Sequence, residues 1–155
     1  MRLETTSIYQ FSELSDSAKD KAIAELSDIN VDGEYWFDHI SEELLEYGAY
    51  LLEFDISRGT IGIDFGDLRD FASKVMESHG NQTDTYILSM NFLNDLLVAC
   101  SEDTIEEASR EYANAISQEY LKILRDTCEY ATSDEAIIET IIANEYEFLE
   151  SGKMY

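Results

Sequence analysis

Asp28-Ile29-Asn30-Val31-Asp32-Gly33 is the stretch whose spacing comes nearest to a known chemistry. It matches the first half of a calcium-binding loop, with oxygen ligands at alternate positions and a glycine at the sharp turn. The pattern then departs. Position twelve is His39, where calcium needs a bidentate Glu, and position eight is Tyr35. Asp28, Asn30 and Asp32 are therefore kept as weak metal candidates beside a plain interhelical turn with Asp32 as a helix cap. Asp64, Asp67 and Asp70 form a second acidic cluster that a divalent ion could bridge, or that merely opens a helix.

The remaining reactive side chains form no catalytic set. His39 and His79 share no metal-ligand spacing with each other or with Cys100 and Cys128. His39 reads as a helix-face residue among acids, and His79 as a helix C-terminal one, where a cation is favoured. Both cysteines fall beside apolar helical positions and read as buried, reduced thiols. Phosphate loops, dinucleotide turns, nucleophile elbows and zinc patterns are missing. Neither an enzymatic activity nor a cofactor is expected.

The elements around these residues follow from period and punctuation. Ser12 or Ser15 caps a helix to about Leu26, with Ala18, Ala22 and Leu26 on one stripe. A second helix is expected over Glu34–Tyr47, stopping at Gly48. Tyr50, Leu52, Phe54 and Ile56 then alternate with Leu51, Glu53 and Asp55. After Ser57-Arg58-Gly59, Ile61, Ile63 and Phe65 alternate again, so a β-hairpin is expected. Further helices are predicted over Asp67–Ser78, Thr83–Cys100 and Thr104–Tyr130, the last burying Ile105, Ala108, Tyr112, Ile116, Tyr120 and Ile123. A final helix, Ser133–Glu150, should bury Ile137, Ile138, Ile141, Ile142 and Leu149. The sum is one helix-rich α+β domain with a small antiparallel hairpin sheet.

Charge is what sets this scaffold apart. The 155 residues carry 34 acids against 10 Lys plus Arg, a formal charge of −24. Residues 1–77 hold 18 acids and 6 bases and residues 78–155 hold 16 and 4, so no acidic tail accounts for it. With 45% hydrophobic residues the chain is too apolar for a disordered polyanion. Two bands lack any base. Between Lys21 and Arg58 lie ten acids, among them Glu34, Asp38, Glu42, Glu43, Glu46, Glu53 and Asp55. Between Arg125 and Lys153 lie eight, among them Asp134, Glu135, Glu139, Glu145, Glu147 and Glu150. Like charges four residues apart forgo the few tenths of a kcal/mol that a Glu–Lys pair supplies. Such a surface repels nucleic acid and anionic membranes and attracts basic proteins. Duplex DNA carries one charge per ~1.7 Å of axis, and carboxylates on successive helical turns recur every ~5.4 Å. Imitation of a nucleic acid towards a basic cleft is thus one expectation, and a homodimer would lengthen the charged strip. A module that binds by an apolar patch, with charge for solubility, is the alternative. A calcium-responsive regulator is the third.

The segment Ile8-Tyr9-Gln10-Phe11-Ser12-Glu13-Leu14-Ser15-Asp16-Ser17-Ala18-Lys19-Asp20-Lys21-Ala22, followed by Asn30, Asp32 and Trp36, resembles a widespread group of small phage and mobile-element proteins. Their beginnings read Y-x-F-x-E-L-S-x-x-A-K-x-x-A before a helix and an alternating strand. In physical type the chain is also similar to the DNA-mimicking antirestriction and anti-CRISPR proteins of phages. These resemblances imply a non-enzymatic inhibitor in the bacterial host cytoplasm. Its partner would be a basic nucleic-acid-binding protein or defence complex; no residue matches the DNA-mimicking families position by position, and it is the charge pattern that points to the acidic faces above as contact residues.

Overall fold

A computed structural model describes residues 2–155. It is an α+β protein of six α-helices and two antiparallel strand pairs: β1 Tyr9–Gln10, α1 Asp16–Glu25, α2 Asp38–Glu46, β2 Ala49–Asp55, β3 Thr60–Phe65, α3 Leu68–Ser78, α4 Asp84–Val98, α5 Glu102–Ala131, α6 Asp134–Ala143 and β4 Glu147–Phe148. Among the described residues no helix is long and apolar enough to cross a membrane. Contacts gather the chain into two compact units. A terminal unit combines the chain up to Trp36 with Thr127–Tyr155, and a central unit is Phe37–Asp126.

In the terminal unit, Phe11, Leu14, Ala18, Ala22, Ile137, Ile141 and Phe148 form the core. The residues of the N-terminal motif are spent on building it. Glu13 accepts from the Gln10 amide at 2.7 Å and closes a 3-10 turn, while Ser15 caps α1 by accepting from the Ala18 amide. Lys19 lies over the Phe11 ring, and Phe11 meets Phe148 edge-on at 6.2 Å. Ser133 caps α6 as its sequence suggests, but the helix stops at Ala143, not Glu150. Glu145 turns left-handed at φ 53, and the chain enters β4, pairing Tyr9 with Phe148 and Gln10 with Glu147. Phe148 is the buried residue of this stretch, whereas Ile142 is exposed. Gly152, at φ 86, presses the last turn onto α1: a Cβ there would collide with the Ala18 carbonyl oxygen.

In the central unit, helix starts match their caps: Asp67 accepts from the Asp70 amide, and Thr83 from the Tyr86 amide. Ser101 and Thr104 cap α5 reciprocally. Residues 35–37 form a 3-10 turn, so α2 begins at Asp38, later than expected, and Gly48 follows its end at φ 83. The hairpin forms, but not with one continuous alternation. Leu51 pairs with Ile63 and Glu53 with Gly62, which leaves Leu52 as an extra, bulged residue. A bulge shifts the side-chain period by one. Ala49, Leu51 and Phe54 therefore share the inner face with Phe65, Ile63 and Ile61, while Tyr50 and Leu52 turn out to solvent. Phe54 meets Phe37 and Phe65 meets Phe71, each at 5.0 Å and edge-on. In α5 the apolar stripe is buried at Tyr112, Ile116 and Tyr120, Ile123 is half-buried, and its first member, Ile105, is exposed. Cys100, expected in the core, is exposed in the link after α4, and Cys128 is half-buried. Leu97 and Val98 next to Cys100 are also exposed, because α4 runs out before its last apolar residues find a neighbour.

Candidate functional site

The calcium-like stretch is a turn held by its own amide groups. Val31 and Asp32 donate their backbone N–H to the Asp28 carbonyl. Asn30 points its side chain inward, donating to the Ala131 carbonyl at 2.9 Å and accepting from the Thr140 hydroxyl at 2.7 Å. Its side chain thus ties the turn to Ala131 and Thr140. Asp32 caps no helix, since α2 begins after Phe37. Asp67 is spent on capping α3, Asp70 pairs with Lys74 at 3.0 Å, and Asp64 lies exposed on β3. Among the described residues, no three His, Cys, Asp or Glu side chains gather where they could hold a metal ion.

A different cluster lies in the central unit, and sequence reasoning missed it. Glu43, expected on the solvent side of α2, is half-buried and turns inward. Its Oε1 accepts from the Tyr120 hydroxyl of α5 at 2.7 Å and from His79 Nε2 at 3.0 Å. His79 caps the C-terminus of α3, as its position beside Gly80 suggests. On its other side Nδ1 lies 2.6 Å from the Thr85 hydroxyl of α4. The proton directions can be counted. Thr83 donates to the Gly80 carbonyl, so it must accept from Thr85, and Thr85 in turn must accept from His79. The hydrogen bond from His79 holds the Glu43 carboxyl below its usual value of 4.5, against the opposing effect of burial. Burial pushes the Tyr120 phenol upward, and the neighbouring Glu43 adds to it. Hydroxyl, imidazole and carboxylate in a row have the connectivity of a nucleophilic triad. Here the hydroxyl's proton points away from the imidazole and Thr85 is 4% exposed, so the row acts as a brace joining four helices.

The expected acidic faces sort into four kinds. Glu43 belongs to the brace just described. Asp55 accepts from the Arg58 amide at 2.9 Å and pairs with its side chain at 3.6 Å, so it serves the hairpin turn. Asp38, Asp134 and Glu135 are exposed in first helical turns, where the dipole favours them. Glu34, Glu42, Glu46, Glu53, Glu139, Glu145, Glu147 and Glu150 are exposed and have no such local reason. The ion pairs among the described residues are Arg2–Glu4, Arg58–Asp55, Lys74–Asp70, His79–Glu43 and Lys122–Asp84, so none of these eight is paired. Within the expected faces, two i,i+4 sets lie on single helices: Asp38–Glu42–Glu46 on α2 and Glu135–Glu139 on α6. None of the six α-helices has a basic residue in its last turn, although a cation is favoured there. Each unit carries its own set, α2 in the central one and α6 in the terminal one.

No family model, no curated protein sequence and no solved structure matches this chain.

Proposed function

We propose that the protein is a non-enzymatic inhibitor of the phage type. Its unpaired carboxylates would take the place of nucleic-acid phosphates in the basic cleft of a host defence complex, in the manner of antirestriction or anti-CRISPR proteins. The single observation that carries the reading is the Asp38–Glu42–Glu46 row. Three exposed carboxylates follow one another at ~6 Å of axial rise with no Lys or Arg between them and no ion pair to any of them among the described residues. Folding gains nothing from Glu42 and Glu46 there, since like charges four apart repel and a carboxylate in the last turn opposes the dipole. A row that costs stability and is nonetheless present suits an electrostatic partner. The Glu135–Glu139 pair of the terminal unit supports the same reading independently.

The test is capture followed by competition. The immobilised protein is exposed to bacterial lysate at low salt, and bound proteins are eluted with a salt gradient. A partner that elutes early and loses its own DNA or RNA when this protein is added supports the reading. A partner that holds nucleic acid and this protein together, or one whose retention ignores salt between about 50 and 200 mM, contradicts it.

A further inference from the structure

The bulge in β2 makes an outward face that the fold does not need. Tyr50 and Leu52 are 59% and 66% exposed on that side of the two-stranded sheet. Gly62, opposite Glu53, leaves a side-chain gap on the same face. A Cβ on it would lie 3.4 Å from Glu53 Cγ and 3.7 Å from Leu52 Cβ, so both side chains lean over the glycine. Asp64, the cross-strand partner of Tyr50, is exposed beside it. An apolar pair is thus set between two carboxylates, neither of which has a basic partner among the described residues.

We infer that the outer face of the β2–β3 hairpin is the anchoring contact of this protein. Its occupant would be a cationic protein segment with apolar side chains interleaved. Charge selects that occupant. A second copy of the chain would bring Glu53 and Asp64 against their own like, and nucleic acid or an anionic lipid surface would be repelled equally. An arginine fits each part: its guanidinium stacks on the Tyr50 ring, its stem covers Leu52, and its charge is met by Glu53 or Asp64. The inference rests on the reading of the protein as an acidic binder of a basic cleft, and adds the apolar contact that carboxylates alone do not supply. Exposed carboxylates give speed and salt dependence, while a partly desolvated aromatic gives residence.

Two synthetic peptides of equal length and charge separate these contributions. One holds arginine among serine spacers, and the other holds arginine with leucine and tryptophan in the spacer positions. Calorimetry at low salt should find the second bound about tenfold more tightly. Amide shifts on its addition should gather at residues 50–53 and 60–64. Tyr50→Ser with Leu52→Ser should remove the second peptide's advantage and leave the weaker binding of both untouched. Leu52→Ser alone, with a smaller loss, serves if the double variant unfolds. Retention of the full advantage by the variants, or shifts centred elsewhere, overturns the hairpin assignment while the acidic reading stands. Failure of both peptides to bind even at low salt overturns the acidic reading and the hairpin assignment with it.

Discussion

The two units carry almost the same charge imbalance on differently built interiors. The terminal unit has fifteen acids to four bases and the central unit nineteen to six. None of the terminal unit's buried residues is ionisable, and it closes on the Phe11–Phe148 contact with Gly152 against α1. The central unit instead joins α2, α3, α4 and α5 through Glu43, His79, Thr85 and Tyr120. It also buries a Ser89–Tyr112 hydrogen bond at 2.7 Å, with the Tyr112 phenol pushed up to about 12 by burial. Net charge therefore does not decide how an interior is built. An acid-coated surface sits equally on an apolar core and on one braced by an ion pair, and the two should fail under different conditions.

Gly152→Ala should break the terminal unit and produce the largest loss. The added Cβ meets backbone that cannot move aside, at a left-handed φ, so a cost of about 3 kcal/mol or more is expected in denaturant titration. Loss of amide protection in β4 ahead of the central helices would locate the damage. In the central unit, Glu43→Leu should cost about 2 kcal/mol, since it strands the Tyr120 hydroxyl and His79 Nε2. Tyr120→Phe removes one donor and should cost about 1 kcal/mol by the same assay.

The pH response separates the units further. The folded-state value of Glu43 lies below its usual 4.5. Its stabilising contribution is thus full above that unfolded value and is lost as pH falls through the lower folded one. The wild-type unfolding midpoint should drop over this acid window by more than that of Glu43→Gln. Equal drops would remove the ion pair from the account. The smallest effect is expected from Glu46→Lys. It sets a cation in the last turn of α2, four residues after Glu42, and should raise stability by about 0.5 kcal/mol. A fall in stability would mean that Glu46 has a structural partner after all.

Much of the fold could be read from the sequence, and the failures have specific causes. Ser15, Thr83 and Ser133 cap the helices they announce, and Gly48 follows the end of α2, because caps are local chemistry. The bulge at Leu52 was hidden, since Tyr50, Leu52, Phe54 and Ile56 alternate perfectly in sequence. Only the pairing with Gly62 reveals the extra residue. Strand β4 reads as helix in the sequence because Ile137 to Ile142 set a helical period. Tyr146 and Phe148 offer too short an alternation to override it. The Glu43–His79 pair spans 36 positions and no local pattern announces it. His79 was correctly placed at a helix end, yet Glu43 looked like its unpaired neighbours on α2. Of the acidic faces, sequence gave the residues, and the structure sorted out which of them the fold already uses.

The dissociation constant of the captured partner, measured across a salt series, tests the central idea most directly. The comparison is between wild type and a Glu42→Lys, Glu46→Lys, Glu139→Lys variant. The wild-type affinity should fall steeply with salt, and the variant should bind about a hundredfold more weakly at low salt with a flatter slope, while folding at least as stably. A wild-type affinity indifferent to salt, or a variant that binds unchanged, would contradict it.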